Sequence, residues 1–211
     1  EVNVRPDFGR FLEVLTEANE ALGYVYRAFY KCGPKFMVPS VFSAMHRAGF
    51  RVLCTGAEAA HPDVLDRVGK GASVQNNTAF VQLCAAHGIK PKVFTMVGLP
   101  GETPETVRAL RDWLVERAAD GLADADVSIC TPFEGTPLYD HPTRYPGWHF
   151  DREALDWSRE VINYKGAPGD YRAFVWTDAL SREDLVAARQ WVEDEFRSAA
   201  GLPPIIARDD G

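Results

Sequence analysis

No two of the four cysteines, Cys32, Cys54, Cys84 and Cys130, form a C-x2-C pair. A disulfide framework is therefore not expected in a chain of this size, and a reducing compartment, the cytoplasm, is the expected location. No H-E-x-x-H pattern appears and the five histidines stand singly, so no metal site is legible. No apolar run approaches the roughly 18 residues of a membrane span, and the opening EVNVRPDFGR has neither a charged n-region nor an apolar h-region. It also lacks an initiator methionine, and the chain is expected to be part of a longer protein. Positive charge is in deficit: the formal net charge is -7, which disfavours a nucleic-acid partner, because such binding draws on concentrated positive potential. Lys90 and Lys92 are expected at a solvated strand entry.

What is present is a globular pattern. Hydrophobic residues make up 46% of the chain and charged residues 25%, enough for one sizeable core. Helical and strand-like stretches then alternate. FGRFLEVLTEANEAL groups Phe8, Phe11, Leu12 and Leu15 at helical spacing, and GYVYRAFYK is rich in β-formers. PSVFSAMHRAG is helical up to Gly49, and FRVLCTG is a strand. A short helix over HPDVLDRV is interrupted by GKGAS, and Ser73 caps a further helix that ends at Gly88.

The run Val93–Val97 reads as a buried strand; Thr103 then caps a helix with Pro104 at its first position and Val107, Leu110 and Leu114 on one face. A last strand in ADVSICTPFEGTPLYD ends in a Pro/Gly-rich loop. This alternation predicts right-handed βαβ crossovers and a parallel sheet or barrel. Beyond residue 140 the spacing changes. Residues 141–157 are dense in proline and aromatics and read as an irregular segment packed on the core, YRAFVWTDA as one further strand, and Ser181 with Asp184 as the capping box of a C-terminal helix. Two regions result: 1–140, and 141–211 as an irregular and mostly helical extension.

Four strand ends line up as candidate site positions: FYKCGPK, CTGAEAAHPD, VGLPGET and CTPFEGTPLYD. In a parallel sheet or barrel all four open on one carboxyl-end rim, where ligands gather. The glycines there, Gly56, Gly98, Gly101 and Gly135, would let main chain approach a ligand closely or take positive φ. Other residues in these loops have plainer readings. Glu102 is expected to stabilise a helix N-terminus, His61 to sit at a helix start, Lys70 to lie on the surface, and Trp113, Trp157, Trp176 and Trp191 to serve packing.

Taken together, GAEAAHPDVLDRVGKG, GIKPKVFTMVGLPGETPETV and TPFEGTPLYD, in this order and spacing over roughly residues 5–140, resemble the second half of the catalytic domain of the radical S-adenosylmethionine (SAM) superfamily. The similarity is strongest to the group whose members often carry a cobalamin-binding domain in front, with the pattern G-x-E-S-G, then G-x-P-G-E-T, then P-x-P-G-T-P-L-Y. The resemblance implies an α/β fold, a partial (β/α)6 barrel of which this chain supplies about four βα units. It implies a [4Fe-4S] cluster held by C-x3-C-x2-C, which reduces SAM to a 5'-deoxyadenosyl radical for hydrogen abstraction, with cobalamin-dependent methyl transfer within the group's range.

Site residues follow from the same resemblance. Glu58, beside Gly56, matches the acceptor for the ribose or methionyl part of SAM; Val97 and Gly98 match the adenine-lining strand end; Thr131 and Pro132 match the next strand end. Lys31 is a candidate partner for the SAM carboxylate.

The departures limit these implications. The chain has no C-x3-C-x2-C, so the cluster ligands are expected on a preceding portion and the chain alone is expected to be inactive. Ala59 and Ala60 stand where Ser and Gly are usual. A non-catalytic, cluster-free binding or scaffold module stays open as a second reading, as does, more weakly, an ordinary (β/α)-barrel enzyme. Expected partners are a small-molecule or peptide substrate and the preceding, cluster-bearing portion; which residues are catalytic is not legible.

Overall fold

The computed structural model describes residues 1–155 and 171–205. The expected Trp157 packing and part of the segment after residue 140 lie outside them. Helix α1 (Phe8–Leu22) leads to strand β1 (Tyr26–Phe29), α2 (Pro39–Arg47) to β2 (Phe50–Glu58), and α3 (Pro62–Arg67) with α4 (Val74–Ala86) to β3 (Lys90–Val97). Helix α5 (Pro104–Ala119) leads to β4 (Asp124–Ile129). The four strands form one sheet in the order β1-β2-β3-β4, every pair parallel. Sequential parallel neighbours joined by helices are the arc of a (β/α) barrel, as the sequence predicts.

The helices start where the chain chemistry says they should. Ser73 and Asn76 close a reciprocal capping box at α4, and Thr103 and Thr106 close another at α5, with Pro104 in the first turn. Each box satisfies donors that an unfinished helix end would otherwise expose.

Alternation along β3 defines two faces: Pro91, Val93, Thr95 and Val97 are buried, whereas Lys92, Phe94 and Met96 are half-buried. The buried face belongs to the core on which α2, α4 and the C-terminal helix pack. The other face is the concave side of the arc. There Phe29 and Phe94 stack with ring centroids 5.6 Å apart, and Arg27 donates to Cys54 Sγ at 3.2 Å. Lys92 bonds Asp124 and, at 3.0 Å, Asp126. The expectation of a solvated Lys92 is thus corrected. Burial alone would lower its ammonium pKa, and the two carboxylates outweigh that and hold it above its ordinary value.

After β4 the chain makes a short helix α6 (Pro137–Asp140) and an antiparallel hairpin of β5 (Trp148–Phe150) with β6 (Val175–Thr177). The predicted strand in YRAFVWTDA therefore exists but pairs outside the parallel sheet. Helix α7 (Arg182–Ala199) starts at the predicted Ser181–Asp184 box and packs against α5, β4 and β3. Leu185, Val192 and Phe196 are its buried face. Arg189, itself buried and ion-paired with Glu193, donates to the Val127 carbonyl at 2.9 Å, along the open edge of β4. Among the described residues no helix is long and apolar enough to cross a membrane.

Candidate functional site

Parallel pairing puts the carboxyl ends of all four strands on one edge of the sheet. Val97 pairs with Ile129, Cys130 N–H donates to the Val97 carbonyl at 2.8 Å, and Tyr30 N–H donates to the Cys54 carbonyl at 2.8 Å. Glu58, Gly98 and Thr131 therefore share a rim.

Glu58 sits where β2 breaks register against β3, between Gly56 and Glu58. It has φ 61, a left-handed conformation that a side-chain-bearing residue adopts at a cost, and such backbone clusters at functional sites. Two bonds hold it: Ala59 N–H closes back onto the Ala57 carbonyl at 2.9 Å, and buried Asn77 on α4 donates to the same carbonyl at 3.1 Å. The bulge re-aims the Glu58 side chain, as bulges near active sites do. Its carboxylate lies over Gly56 and meets Lys70 Nζ at 2.5 Å. A Cβ on Gly56 would meet that carboxylate and lie 2.9 Å from Lys70 Nζ, so a side chain here would displace the ion pair from its place over the strand. Lys70 stands between Gly69 and Gly71, both in the left-handed region. It is thus an ion-pair partner at the rim, and the expectation of a plain surface lysine is corrected.

Lys31 presents an exposed side chain. Its main chain is fixed by the buried Asn3, which accepts from Lys31 N–H at 2.7 Å and donates to the Lys31 carbonyl at 3.0 Å. Thr131 is half-buried and donates to the Ile129 carbonyl at 3.3 Å, and Pro132 is buried. Val97 turns its side chain into the core, leaving main chain toward the rim.

The turn that follows, Gly98-Leu99-Pro100-Gly101-Glu102, is built inward. Glu102 is only 2% exposed, and its carboxyl accepts from Gly98 N–H and, at 3.2 Å, from Leu99 N–H. Burial pushes this carboxyl up to about 8 against the opposing pull of those two donors. Glu102 is therefore the internal brace of the turn, a different role from the helix-dipole contact expected of it. The Gly98 carbonyl accepts from the Trp148 indole at 2.8 Å, and the Glu102 carbonyl from the Thr177 hydroxyl at 3.0 Å. The Cys130 thiol is raised by burial first and then by the charges of Glu102 and Glu58, so both carboxyl groups lie near one strand end.

Gly98 has φ 88, and a Cβ there would lie 2.9 Å from Val175 Cγ2 and 3.1 Å from Leu185 Cδ1. Gly98→Ala is expected to cost about 1–3 kcal/mol from strain and overpacking together. Gly135, with φ 83 and open space around it, supplies the comparison: Gly135→Ala carries the backbone cost alone, about 1–2 kcal/mol. Urea unfolding of the two variants checks the difference; equal losses would remove the packing contribution.

The cysteines do not fit an iron–sulfur cluster. All four are free and buried, and among the described residues no group of three or more His, Cys, Asp or Glu is placed to hold a metal. Burial lifts the Cys32 thiol to about 11 and likewise raises Cys84, away from the thiolate a metal requires. Lys70, Trp148 and Thr177 are the rim residues that motif reading missed. Only Lys70 left a local trace, a lone cation flanked by glycines twelve positions after Glu58.

A four-stranded parallel sheet with connecting helices and a polar, glycine-lined carboxyl rim is the architecture of a partial (β/α) barrel. The family profile of the radical SAM superfamily matches residues 1–114, and the chain belongs to that superfamily. Bacteriochlorophyllide d C-12(1)-methyltransferase of Chlorobaculum tepidum is 26% identical over 171 residues, 80% of this chain and 36% of that protein. The radical SAM methyltransferase TsrM of Kitasatospora setae, solved with cobalamin and a [4Fe-4S] cluster, superposes with a TM-score of 0.65 at 20% identity over 91% of this chain and 42% of that one. The same enzyme with tryptophan and aza-SAM gives a TM-score of 0.60 at 19% identity, over 91% and 40%. The chain thus spans about a third to two fifths of the length of these relatives.

Proposed function

We propose that this chain forms the carboxyl-side part of the SAM-binding barrel of a radical SAM methyltransferase. The observation that carries this reading is the Glu58–Lys70 pair, set by a strained bulge on the same rim as the braced turn at Gly98. One end of the rim then offers a carboxylate acceptor suited to a ribose diol and an ammonium suited to a carboxylate. The other offers main chain for a planar base. These are the chemistries a nucleoside amino acid requires. When bound, SAM supplies the methyl or 5'-deoxyadenosyl group; the residues here bind it, orient it and exclude water. Thr131, Pro132, Val97 and Gly56 line the recess through main chain, and Lys31 is a more remote cation for the same carboxylate.

The cluster ligands, in this reading, lie on residues preceding Glu1, because none of this chain's thiols is available. Methyl transfer is favoured by the Chlorobaculum relative, and cobalamin by the ligands of the Kitasatospora structure; no residue of this chain is assigned to cobalamin. The second reading, a cluster-free binding module, draws on the four inert thiols and on Ala59 and Ala60 at the rim. One experiment separates them. Iron and sulfide reconstitution of the longer protein, and of residues 1–211 beside it, should give the visible cluster band only in the longer protein. SAM consumption under reducing conditions should follow the same division. A longer protein that takes up no cluster yet binds SAM would favour the second reading; a stoichiometric cluster on residues 1–211 would overturn the placement of the ligands.

A further inference from the structure

The turn at Gly98 is held by partners the radical SAM motifs do not contain. Trp148 on β5 and Thr177 on β6 are directly opposed across the antiparallel hairpin, so their side chains leave it on one face. That face meets the turn. The Trp148 indole N–H donates to the Gly98 carbonyl at 2.8 Å and the Thr177 hydroxyl to the Glu102 carbonyl at 3.0 Å, the two ends of the turn. All four residues that make or receive these bonds, Trp148, Gly98, Thr177 and Glu102, are buried. Their neighbour Val175 closes on Gly98, where a Cβ would lie 2.9 Å from its Cγ2. The opposite face of the hairpin carries His149 and Trp176, stacked at 5.2 Å, away from the turn.

We propose that Trp148 and Thr177 are positioning residues for nucleoside binding: they hold the Gly98–Glu102 main chain in its binding geometry from the hairpin side. This rests on the reading of that turn as the wall against the base. A glycine-rich turn left free would have to be ordered when ligand arrives, at a cost in affinity; two hydrogen bonds from the β5–β6 strand pair order it during folding. The bonds span 50 and 75 residues, so they link the segment after residue 140 to the strand end.

The test uses the longer, cluster-loaded protein with three probes, SAM, 5'-deoxyadenosine and methionine, and reads dissociation constants beside thermal midpoints. Trp148→Phe keeps an aromatic side chain of smaller size and removes the donor; Thr177→Val keeps the shape and removes the hydroxyl, which also accepts from Ala179 and Leu180 N–H, so the thermal midpoint is read beside each constant. Each is expected to weaken SAM and 5'-deoxyadenosine by the same factor, about tenfold, and to leave methionine within roughly twofold. Trp176→Phe, in the same hairpin but on its other face, is expected to leave all three within roughly twofold. Should Trp148→Phe fail to fold, Thr177→Val carries the comparison. Two variants that bind SAM as the parent does, or that weaken methionine as much as 5'-deoxyadenosine, overturn the positioning role while leaving the site reading intact. A parent protein that binds neither SAM nor 5'-deoxyadenosine overturns the site reading and this proposal with it.

Discussion

Glu102→Leu is expected to lose about 3 kcal/mol of stability, because it leaves the buried Gly98 and Leu99 N–H groups without their acceptor. Glu102→Gln retains an acceptor oxygen of similar shape and is expected to lose far less. The pair also differ in pH dependence from the parent. The folded carboxyl titrates near 8 and the ordinary value is 4.5, so the folded state holds a proton that the unfolded chain has released between those limits. The stability contribution is complete below about 4.5 and falls as pH rises, by up to about 1.4 kcal/mol per unit, until it levels above about 8.

Glu102→Gln, having no proton to lose there, should become steadily more stable relative to the parent between pH 5 and pH 8. Urea midpoints at half-unit steps read this directly. Parallel curves for parent and Gln variant would show that Glu102 is not held neutral in the fold. The loss comes from burying the ionised carboxylate, since the Gly98 and Leu99 N–H donors themselves favour the charged form.

Glu58→Gln is expected to weaken SAM binding by the longer protein about 100-fold, the loss expected when a charged acceptor opposite a ligand diol and its own ion-pair partner is neutralised. Lys70→Ala should weaken it by a similar factor, since the Glu58 carboxylate then loses the contact that holds it over Gly56. The double variant is the informative one. If the two side chains act as one unit, Lys70→Ala adds little once Glu58 is already Gln, a coupling within the range of about 0.5–3 kcal/mol seen for contacting residues. Stability should hardly move in either single variant, because a partly exposed ion pair contributes no more than about 1 kcal/mol. Fully additive losses in SAM affinity would separate the pair into two unrelated residues, and large stability losses would make the pair structural.

The elements set by neighbouring residues are legible in the sequence itself. Helix α1 spans Phe8–Leu22, the stretch its apolar spacing marks. Ser73, Thr103 and Ser181 all accept from the N3 backbone as their positions require. A capping box needs partners three residues apart, and an amphipathic face needs its apolar residues three or four apart; both are local and repeat in the chain itself. Parallel order followed from the spacing of strands and helices, since crossovers of that length leave few other arrangements. The common rim followed in turn, and with it the neighbourhood of Glu58, Gly98 and Thr131.

What the chain could not announce were the choices made by residues that meet only after folding. Glu102 reads as a helix-leading carboxylate until the hairpin buries it, and burial turns it into a brace for its own turn. Lys70 is a charge between glycines until the bulge at Glu58 swings a carboxylate onto it. Lys92 looks solvated until β4 lays Asp124 and Asp126 alongside. Trp148 and Thr177 carry no motif and find Gly98 and Glu102 across 50 and 75 residues. Local geometry is encoded in short spacings that a sequence displays openly, whereas desolvation and long-range hydrogen bonds depend on which distant surfaces close together, and that is decided by the packed fold.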